Sequence, residues 1–275
     1  MIFDGPYDPP SGALQLLNPG PAELVLNRRG SSVWKVKTEA GPYAVKVGYP
    51  SRTHAWTALA PAREAAVLRQ LTHERVFSGE WEHGTWGAQP WRRGDSLYDR
   101  WAPCRDGAAK PNLGEALSCA VALSALHAMG WVHGDVQPAH FLLDESGGAF
   151  LIDLALSSGG RIPRAYDFPY RGCLVHYEAP EVSASVLESG AATPTQQADV
   201  YALGAALFIS ATGWRHVAYP DDASREDQRR AIVAGPHRPV RVRGPLGGLI
   251  LHMLSREPAD RPTSTEVYER LSAAL

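Results

Sequence analysis

The order of apolar and polar positions predicts strands early in the chain and helices later. Residues 43–47 alternate in polarity and are rich in β-branched side chains, which is typical of a half-buried strand. The good helix formers that follow Pro61 predict a helix. The stretches 117–131 and 200–209 are strongly apolar, yet they are shorter than the roughly 20 residues that cross a bilayer. They therefore predict buried helices of a globular protein.

This distribution predicts an α+β protein with two lobes. Residues 1–91 form a small, strand-rich first lobe, and residues 95–275 form a mainly helical second lobe. The segment 92–94 between them is the predicted hinge. Residues 1–19 contain four prolines and no cationic apolar run, so they predict a short extended arm and not a signal peptide.

Composition narrows the class of function. The chain has 275 residues and a formal net charge of −2, which argues against a general polyanion-binding role, so we expect no nucleic-acid partner. The apolar stretches are too short for a membrane partner to be expected. Cys104, Cys119 and Cys173 lack metal-ligand spacing and predict reduced thiols in a cytoplasmic protein. The high content of Ala, Gly, Trp and Arg is typical of a high-GC bacterial genome.

Five side chains in and between these predicted elements could take part in catalysis or binding. Lys46 lies in the first strand and Glu64 in the helix after Pro61. The sequence H-G-D places Asp135 five residues before His140. Asp153 ends a further apolar strand.

These residues resemble the motifs of the protein kinase-like superfamily, in the same chain order. The Lys46 strand resembles V-A-I-K, H-G-D resembles the start of H-R-D-x-x-x-x-N, and I-D-L-A resembles D-F-G. The second half resembles bacterial protein kinases of eukaryotic type in the elements A-P-E at 179–181, D-V-Y-A-L-G at 199–204 and R-E-P-A-D-R-P at 256–262. In the last element, the resemblance implies that Arg261 pairs with the Glu of A-P-E.

The resemblance implies a two-lobed kinase fold and an ATP-dependent phosphotransferase. Asp135 is then the base that accepts the proton of the acceptor hydroxyl, and Asp153 is a magnesium ligand. Lys46 is the implied anchor of the ATP phosphates, and Glu64 is its partner.

The resemblance also implies that ATP lies between the lobes. Its adenine would contact backbone groups near Trp91, with Ala44 above the ring and Leu142 or Leu143 below it. Kinases hold adenine between small and branched apolar side chains of this kind.

Departures from the family pattern affect the phosphate-covering hairpin. No glycine stands at the three positions of G-x-G-x-x-G. Gly30, Ser31 and Ser32 instead resemble the loop of aminoglycoside and choline phosphotransferases, which covers the nucleotide, and those enzymes share the Gly of H-G-D. Because the Arg of H-R-D is missing, no cation receives a phosphorylated loop, so we expect that loop phosphorylation is not the switch.

Two further departures lie in the catalytic loop. Gln137 stands where serine/threonine kinases carry a Lys, and it offers a hydrogen bond to the transferring phosphate but no charge. His140 replaces the metal-binding Asn. Imidazole suits transition ions better than magnesium, so His140 predicts either a metal ligand that favours manganese or a packing residue.

Three functions stay open at this point. The first is a serine/threonine kinase of atypical sequence with a protein or peptide substrate, because Lys46, Glu64 and both catalytic carboxylates are present. The second is a pseudokinase that binds nucleotide or protein, because the glycines are missing and His140 replaces Asn. The third is a small-molecule phosphotransferase, because of the Gly-Ser-Ser sequence. The segment 171–177 lacks a Thr, so Ser/Thr versus Tyr preference also stays open.

Overall fold

The structure, a computed structural model, describes residues 5–51 and 55–275. The chain divides into two compact units. The first contains the described residues up to Arg92 together with Leu154–Leu156 and Gly160–Phe168. The second contains Arg93–Asp153, Ser157–Gly159 and Pro169–Leu275. The main division falls within the segment 92–94, while two short pieces of the later chain join the first unit.

The first unit is built on a five-stranded antiparallel sheet with the strand order β1-β2-β3-β5-β4. The strands are β1 (Ala22–Arg28), β2 (Ser31–Val36), β3 (Tyr43–Gly48), β4 (Phe77–Trp81) and β5 (Gly84–Pro90). Alternation along β3 buries Val45 and Val47 in the core and leaves Ala44 and Lys46 on the other face, as the side-chain period of two requires. The predicted strand at 43–47 is therefore confirmed.

Two helices belong to the same unit, α1 (Ser11–Leu17) and α2 (Ala60–Leu71). The prediction of an extended arm over residues 1–19 is wrong where α1 forms. Residues 11–18 contain no proline, and their apolar residues have helical spacing, which buries Ala13 and Leu17 in the same core as Val45. Residues 1–4 of the predicted arm lie outside the described residues.

The second unit is mainly helical. Its helices are α3 (Leu97–Arg100), α4 (Ala102–Arg105), α5 (Leu113–Ala128), α6 (Pro180–Ser189), α7 (Gln196–Thr212), α8 (Arg225–Ala234), α9 (Pro245–Met253) and α10 (Ser264–Ser272). A small sheet orders the strands β6 (Asp95–Ser96), β7 (Phe141–Leu143) and β8 (Ala149–Leu151).

The core of the second unit surrounds α7, which is buried along almost its whole length. The apolar stretches 117–131 and 200–209 form most of α5 and α7, so both helix predictions are confirmed. Helix α5 ends earlier than its apolar stretch because Gly130 takes a left-handed conformation with φ of 77°. Among the described residues, no helix is long and apolar enough to cross a bilayer.

Candidate active site

The first unit carries an ion pair between Lys46 on β3 and Glu64 on α2. Lys46 Nζ lies 2.6 Å from Glu64 Oε2, and the two side chains are 15% and 4% exposed. Burial of this kind is tolerated only where the opposite charges meet and make further hydrogen bonds. The pair predicted from the two sequence motifs is thus present in the structure.

Two further groups hold the Glu64 carboxylate. Gln89 Nε2 on β5 donates to Glu64 Oε1 at 3.2 Å. The backbone N–H of Leu154 donates to the same oxygen at 3.3 Å. Glu64 therefore connects the lysine strand, the strand β5 and the residue that directly follows Asp153 in the chain. Sequence reasoning missed Gln89, although its signal was a polar residue beside Ala88 in a largely buried strand.

The β1–β2 hairpin turns through Arg29 and Gly30, whose φ values of 55° and 82° fit a two-residue turn with both residues left-handed. A Cβ on Gly30 would lie 2.4 Å from Thr57 Oγ1 and 2.6 Å from the carbonyl oxygen of Tyr49. The glycine thus serves a close backbone approach as well as the turn.

The two serines after this turn differ in exposure. Ser32 is fully buried, accepts a hydrogen bond from the Tyr7 N–H at 3.0 Å and donates to Asn27 Oδ1 at 3.3 Å. Gly30 and Ser32 therefore belong to the framework of the hairpin, and their contact with nucleotide stays a prediction. Ser31 is partly exposed and stays a predicted contact.

The residues that were predicted to contact adenine differ in their exposure and in the availability of their backbone groups. Ala44 is half-buried on the Lys46 face of the sheet. The Trp91 N–H donates to the Pro42 carbonyl at 2.9 Å, so this amide is not available to a ligand. In the second unit Leu143 is 1% exposed and packs in the core, while Leu142 is half-buried on the other face of β7, so Leu142 is the more accessible of the two predicted leucines.

In the second unit, Asp199 at the start of α7 fixes the backbone of the catalytic loop. Its carboxylate accepts hydrogen bonds from the His133 N–H at 2.6 Å and the Gly134 N–H at 2.9 Å, and it also lies 3.0 Å from His127 Nε2. Gly134 has φ of 77°, a conformation that glycine adopts at little cost. This geometry accounts for a glycine between His133 and Asp135.

Asp135 presents an unsatisfied carboxylate oxygen. Its Oδ2 accepts from Gln137 Nε2 at 3.2 Å, whereas its Oδ1 is buried and has no hydrogen-bond partner in the described part of the chain. Burial raises the pKa of this carboxyl, the nearby His140 lowers it, and the nearby Asp153 raises it. A buried acceptor that lacks a donor is costly and marks a functional position.

His140 uses both ring nitrogens within the protein. Nδ1 lies 2.8 Å from the Asp135 carbonyl oxygen, which can only accept, so Nδ1 carries a proton. Nε2 lies 3.3 Å from Asp153 Oδ2 and 3.1 Å from Gln137 Nε2. Burial lowers the pKa of His140, but the carboxylates of Asp153 and Asp135 outweigh it and raise the pKa to about 9. The ring lies directly beside Asp153, and the prediction of His140 as a metal ligand stays a prediction.

Magnesium fits this donor set only in part. The described residues contain no group of three or more His, Cys, Asp or Glu side chains that could hold a metal. Magnesium in phosphate-transfer sites is commonly held by one or two carboxylates together with substrate phosphates and water. The Asp153 side chain is 39% exposed and fits such a role. Its backbone has φ of 65°, a conformation that for a residue other than glycine is concentrated at functional sites.

The elements of the second half are also in place. Arg261 pairs with Glu181 of the A-P-E sequence through two contacts of 2.7 Å, and its side chain is fully buried. This two-point geometry is the strong form of an arginine–carboxylate interaction. The pair predicted from the resemblance is therefore confirmed.

Comparison with known proteins gives three informative relatives. Serine/threonine-protein kinase PknK of Mycobacterium tuberculosis is 33% identical over 171 residues, which cover 59% of this chain and 14% of the relative. Serine/threonine-protein kinase PkaA of Streptomyces coelicolor is 32% identical over 156 residues, covering 54% of this chain and 27% of the relative. Serine/threonine-protein kinase PknJ of Mycobacterium bovis is 29% identical over 240 residues, covering 77% of this chain and 37% of the relative. The chain spans well under half the length of each relative.

A family model also matches more than half of the chain. The sequence pattern of the family described as Protein kinase domain matches residues 107–271 of the 275. This region contains the catalytic loop, Asp153 and the Glu181–Arg261 pair. The β-sheet of the first unit and the helices of the second are those of a two-lobed kinase fold, and the chain belongs to the protein kinase domain family.

Proposed function

We propose that this chain is an ATP-dependent serine/threonine protein kinase of atypical sequence. Support comes from the family, from the relatives that are named serine/threonine-protein kinases and from the Lys46–Glu64 pair. A cytoplasmic location is part of the proposal, and it is supported by three cysteines that are all free thiols.

The observation that carries the proposal is the buried, unpartnered Oδ1 of Asp135. A general base needs an oxygen that is free to accept the proton of the acceptor hydroxyl, and its basicity increases as its pKa rises. Burial acts in that direction on Asp135. Gln137 occupies the other oxygen and fixes the orientation of the carboxylate.

The reaction moves one phosphoryl group and one proton. The acceptor hydroxyl oxygen forms a bond to the γ-phosphorus of ATP, and the bond from that phosphorus to the bridging oxygen of ADP breaks. The hydroxyl proton passes to Asp135 Oδ1. Lys46, held by Glu64, contributes positive charge for the phosphates. Gln137, whose Nε2 lies against Asp135 and His140, adds no charge where a lysine would add a second one.

Magnesium, when bound with ATP, neutralises charge on the phosphates, and Asp153 is the residue that would hold it. His140 replaces an oxygen ligand by a ring that contacts Asp153 itself. This contact favours the second candidate, a pseudokinase that binds nucleotide or protein, because it competes for the Asp153 carboxylate. The third candidate, a small-molecule phosphotransferase, loses support because Gly30 and Ser32 belong to the hairpin framework.

The test is Asp135→Asn, which removes the base and keeps the shape of the side chain. We expect transfer from labelled ATP to a degenerate Ser/Thr/Tyr peptide library to fall by about 10² to 10⁴-fold. ATP affinity should stay nearly unchanged, because the base acts on the acceptor. Asp222→Asn, at an exposed aspartate, is the matched control. Retention of most of the wild-type rate would give Asp135 a structural role, and an inactive wild type that binds ATP would favour the pseudokinase.

A further inference from the structure

The segment 160–168 lies along helix α2 in the first unit and contacts it at two points. Near the end of the helix, Gln70 Nε2 donates to the Arg161 carbonyl at 2.8 Å, and the Arg161 N–H donates to Gln70 Oε1 at 3.1 Å. Two turns earlier, the Arg63 guanidinium lies 5.0 Å from the centre of the Phe168 ring. The segment and the helix therefore run in opposite directions.

Arg63 is the more buried of the two contact residues on the helix, at 6% exposed. Its Nη1 donates to the Ala155 carbonyl at 2.5 Å, and its Nε lies 3.8 Å from Asp167 Oδ1. The Phe168 ring stacks at 4.9 Å on Trp56, which precedes α2. A cation over an aromatic face inside a protein is held more strongly than one at the surface.

Arg63 directly precedes Glu64 in the chain, and the two act on adjacent backbone groups. Arg63 binds the carbonyl of Ala155, and Glu64 binds the N–H of Leu154. Anything that shifts α2 must therefore disturb both contacts and the Lys46–Glu64 pair. We call Arg63, Gln70, Trp56, Asp167 and Phe168 the α2 clasp.

The chain between Ser158 and Ser183 contains no serine or threonine. Its hydroxyl groups belong to three tyrosines. Tyr170 donates to the Gly134 carbonyl, and Tyr177 is buried. Tyr166 is the exception, with its hydroxyl 3.4 Å from Glu80 at the surface. The five residues of the α2 clasp themselves carry no hydroxyl group that a kinase could phosphorylate.

We propose that Arg63 and Phe168 are positioning residues for the Lys46–Glu64 ion pair, and that the α2 clasp performs this task without phosphorylation. The ATP readout of this proposal rests on the proposed kinase function. Its structural core does not, because the clasp is formed entirely within the first unit.

The experiment compares Phe168→Ala and Gln70→Ala with wild type. Phe168→Tyr should rescue, because it keeps the ring, and Tyr166→Phe is the control in the same segment. Hydrogen exchange of residues 60–71 is measured without nucleotide, and affinities for ATP and for adenosine are measured separately. Mass spectrometry before and after phosphatase treatment shows whether the protein is phosphorylated.

We expect faster exchange in α2 for both alanine variants. ATP affinity should fall about fivefold in Phe168→Ala, which corresponds to loss of one cation–π contact. Adenosine affinity should be unchanged, because adenosine lacks the phosphates that Lys46 contacts. Phosphatase should alter neither affinity.

Unchanged exchange in Phe168→Ala would overturn the proposal, and so would equal losses of ATP and adenosine binding, which indicate general damage to the unit. A requirement for phosphate on Tyr166 would overturn it as well. If wild type binds no ATP, the proposed function fails, and the exchange of α2 alone decides whether the clasp positions the helix.

Discussion

At the scale of single residues, His140 sets the character of the catalytic loop. It replaces an oxygen ligand by an imidazole that lies against the Asp135 carbonyl on one side and the Asp153 carboxylate on the other. A metal ion held by Asp153 must compete with this ring for the same carboxylate. We therefore expect His140 to weaken metal binding, although both proposed catalytic carboxylates are present.

His140→Asn should strengthen magnesium-dependent activity. It removes the competing ring and restores an oxygen ligand, and a hydrogen bond to a charged group is worth about 1.5–3 kcal/mol. We expect the magnesium concentration for half-maximal ATP binding or transfer to fall about tenfold, with a smaller change for manganese. Titration of both metals into both proteins measures this, with His73→Asn at an exposed histidine as the control. If the ratio of the half-maximal magnesium and manganese concentrations is the same in wild type and His140→Asn, the His140 ring is only a packing residue.

At the scale of elements, the β1–β2 hairpin combines a tight turn with a close backbone approach. Gly30 has φ of 82° and faces the carbonyl of Tyr49, whose N–H donates to the Gly30 carbonyl at 2.9 Å. Elsewhere in the first unit, Gly41 has φ of 110°, and a Cβ there would meet nothing within 4 Å. A comparison of Gly30 with Gly41 therefore separates the cost of the backbone conformation from the cost of a steric overlap of the added Cβ.

Gly30→Ala should destabilise the first unit more than Gly41→Ala. Both variants place a side chain on a left-handed residue, which costs about 1 kcal/mol. Only Gly30→Ala adds a steric overlap, so we expect a total of about 2–4 kcal/mol. Denaturant unfolding of the two variants gives the difference. If the two variants are equally destabilised and only Gly30→Ala loses ATP binding, the result would support the prediction that Gly30 contacts the nucleotide.

At the scale of the whole molecule, the sequence predicted those elements and contacts that follow from local periodicity or from family motifs. The strand with Lys46, the helices α5 and α7 and the Glu181–Arg261 pair follow from periodicity and from family motifs. Helix α1 was missed because it is only seven residues long, buries only Ala13 and Leu17, and follows a proline-rich stretch. Short apolar segments acquire structure from the core they join, and this core is distant in sequence.

Sequence motifs could predict the candidate residues of the site, but not the directions of their side chains or their hydrogen-bond partners. Side-chain direction distinguishes the two leucines that were predicted to lie below the adenine. Leu143 points into the core and Leu142 away from it, and a one-residue difference reverses the face of a strand. The roles of Gln89 and Ser32 depend on partners far along the chain, Glu64 and Tyr7, that no local pattern reveals.

Nucleotide binding should stabilise the folded chain, and Lys46→Met should reduce the effect. A ligand at about 100 times its Kd adds about 2.7 kcal/mol to the free energy of unfolding, which raises the melting temperature by about 5–10 °C for a chain of this size. Loss of the lysine charge should weaken ATP binding about tenfold or more, which leaves about half of that stabilisation. Each protein is compared with its own nucleotide-free state, because Lys46→Met also leaves the buried Glu64 without its cation.

Lys37→Met, at an exposed lysine just beyond β2, is the matched control and should shift like wild type. An equal shift in Lys46→Met and wild type would show that Lys46 does not contact the phosphates. Absence of any shift in wild type with ATP and either magnesium or manganese would exclude both phosphotransferase functions, since a ligand that binds the native state must stabilise it. The Lys46–Glu64 pair would then serve only to hold α2 against the sheet, and the chain would act as a protein-binding module.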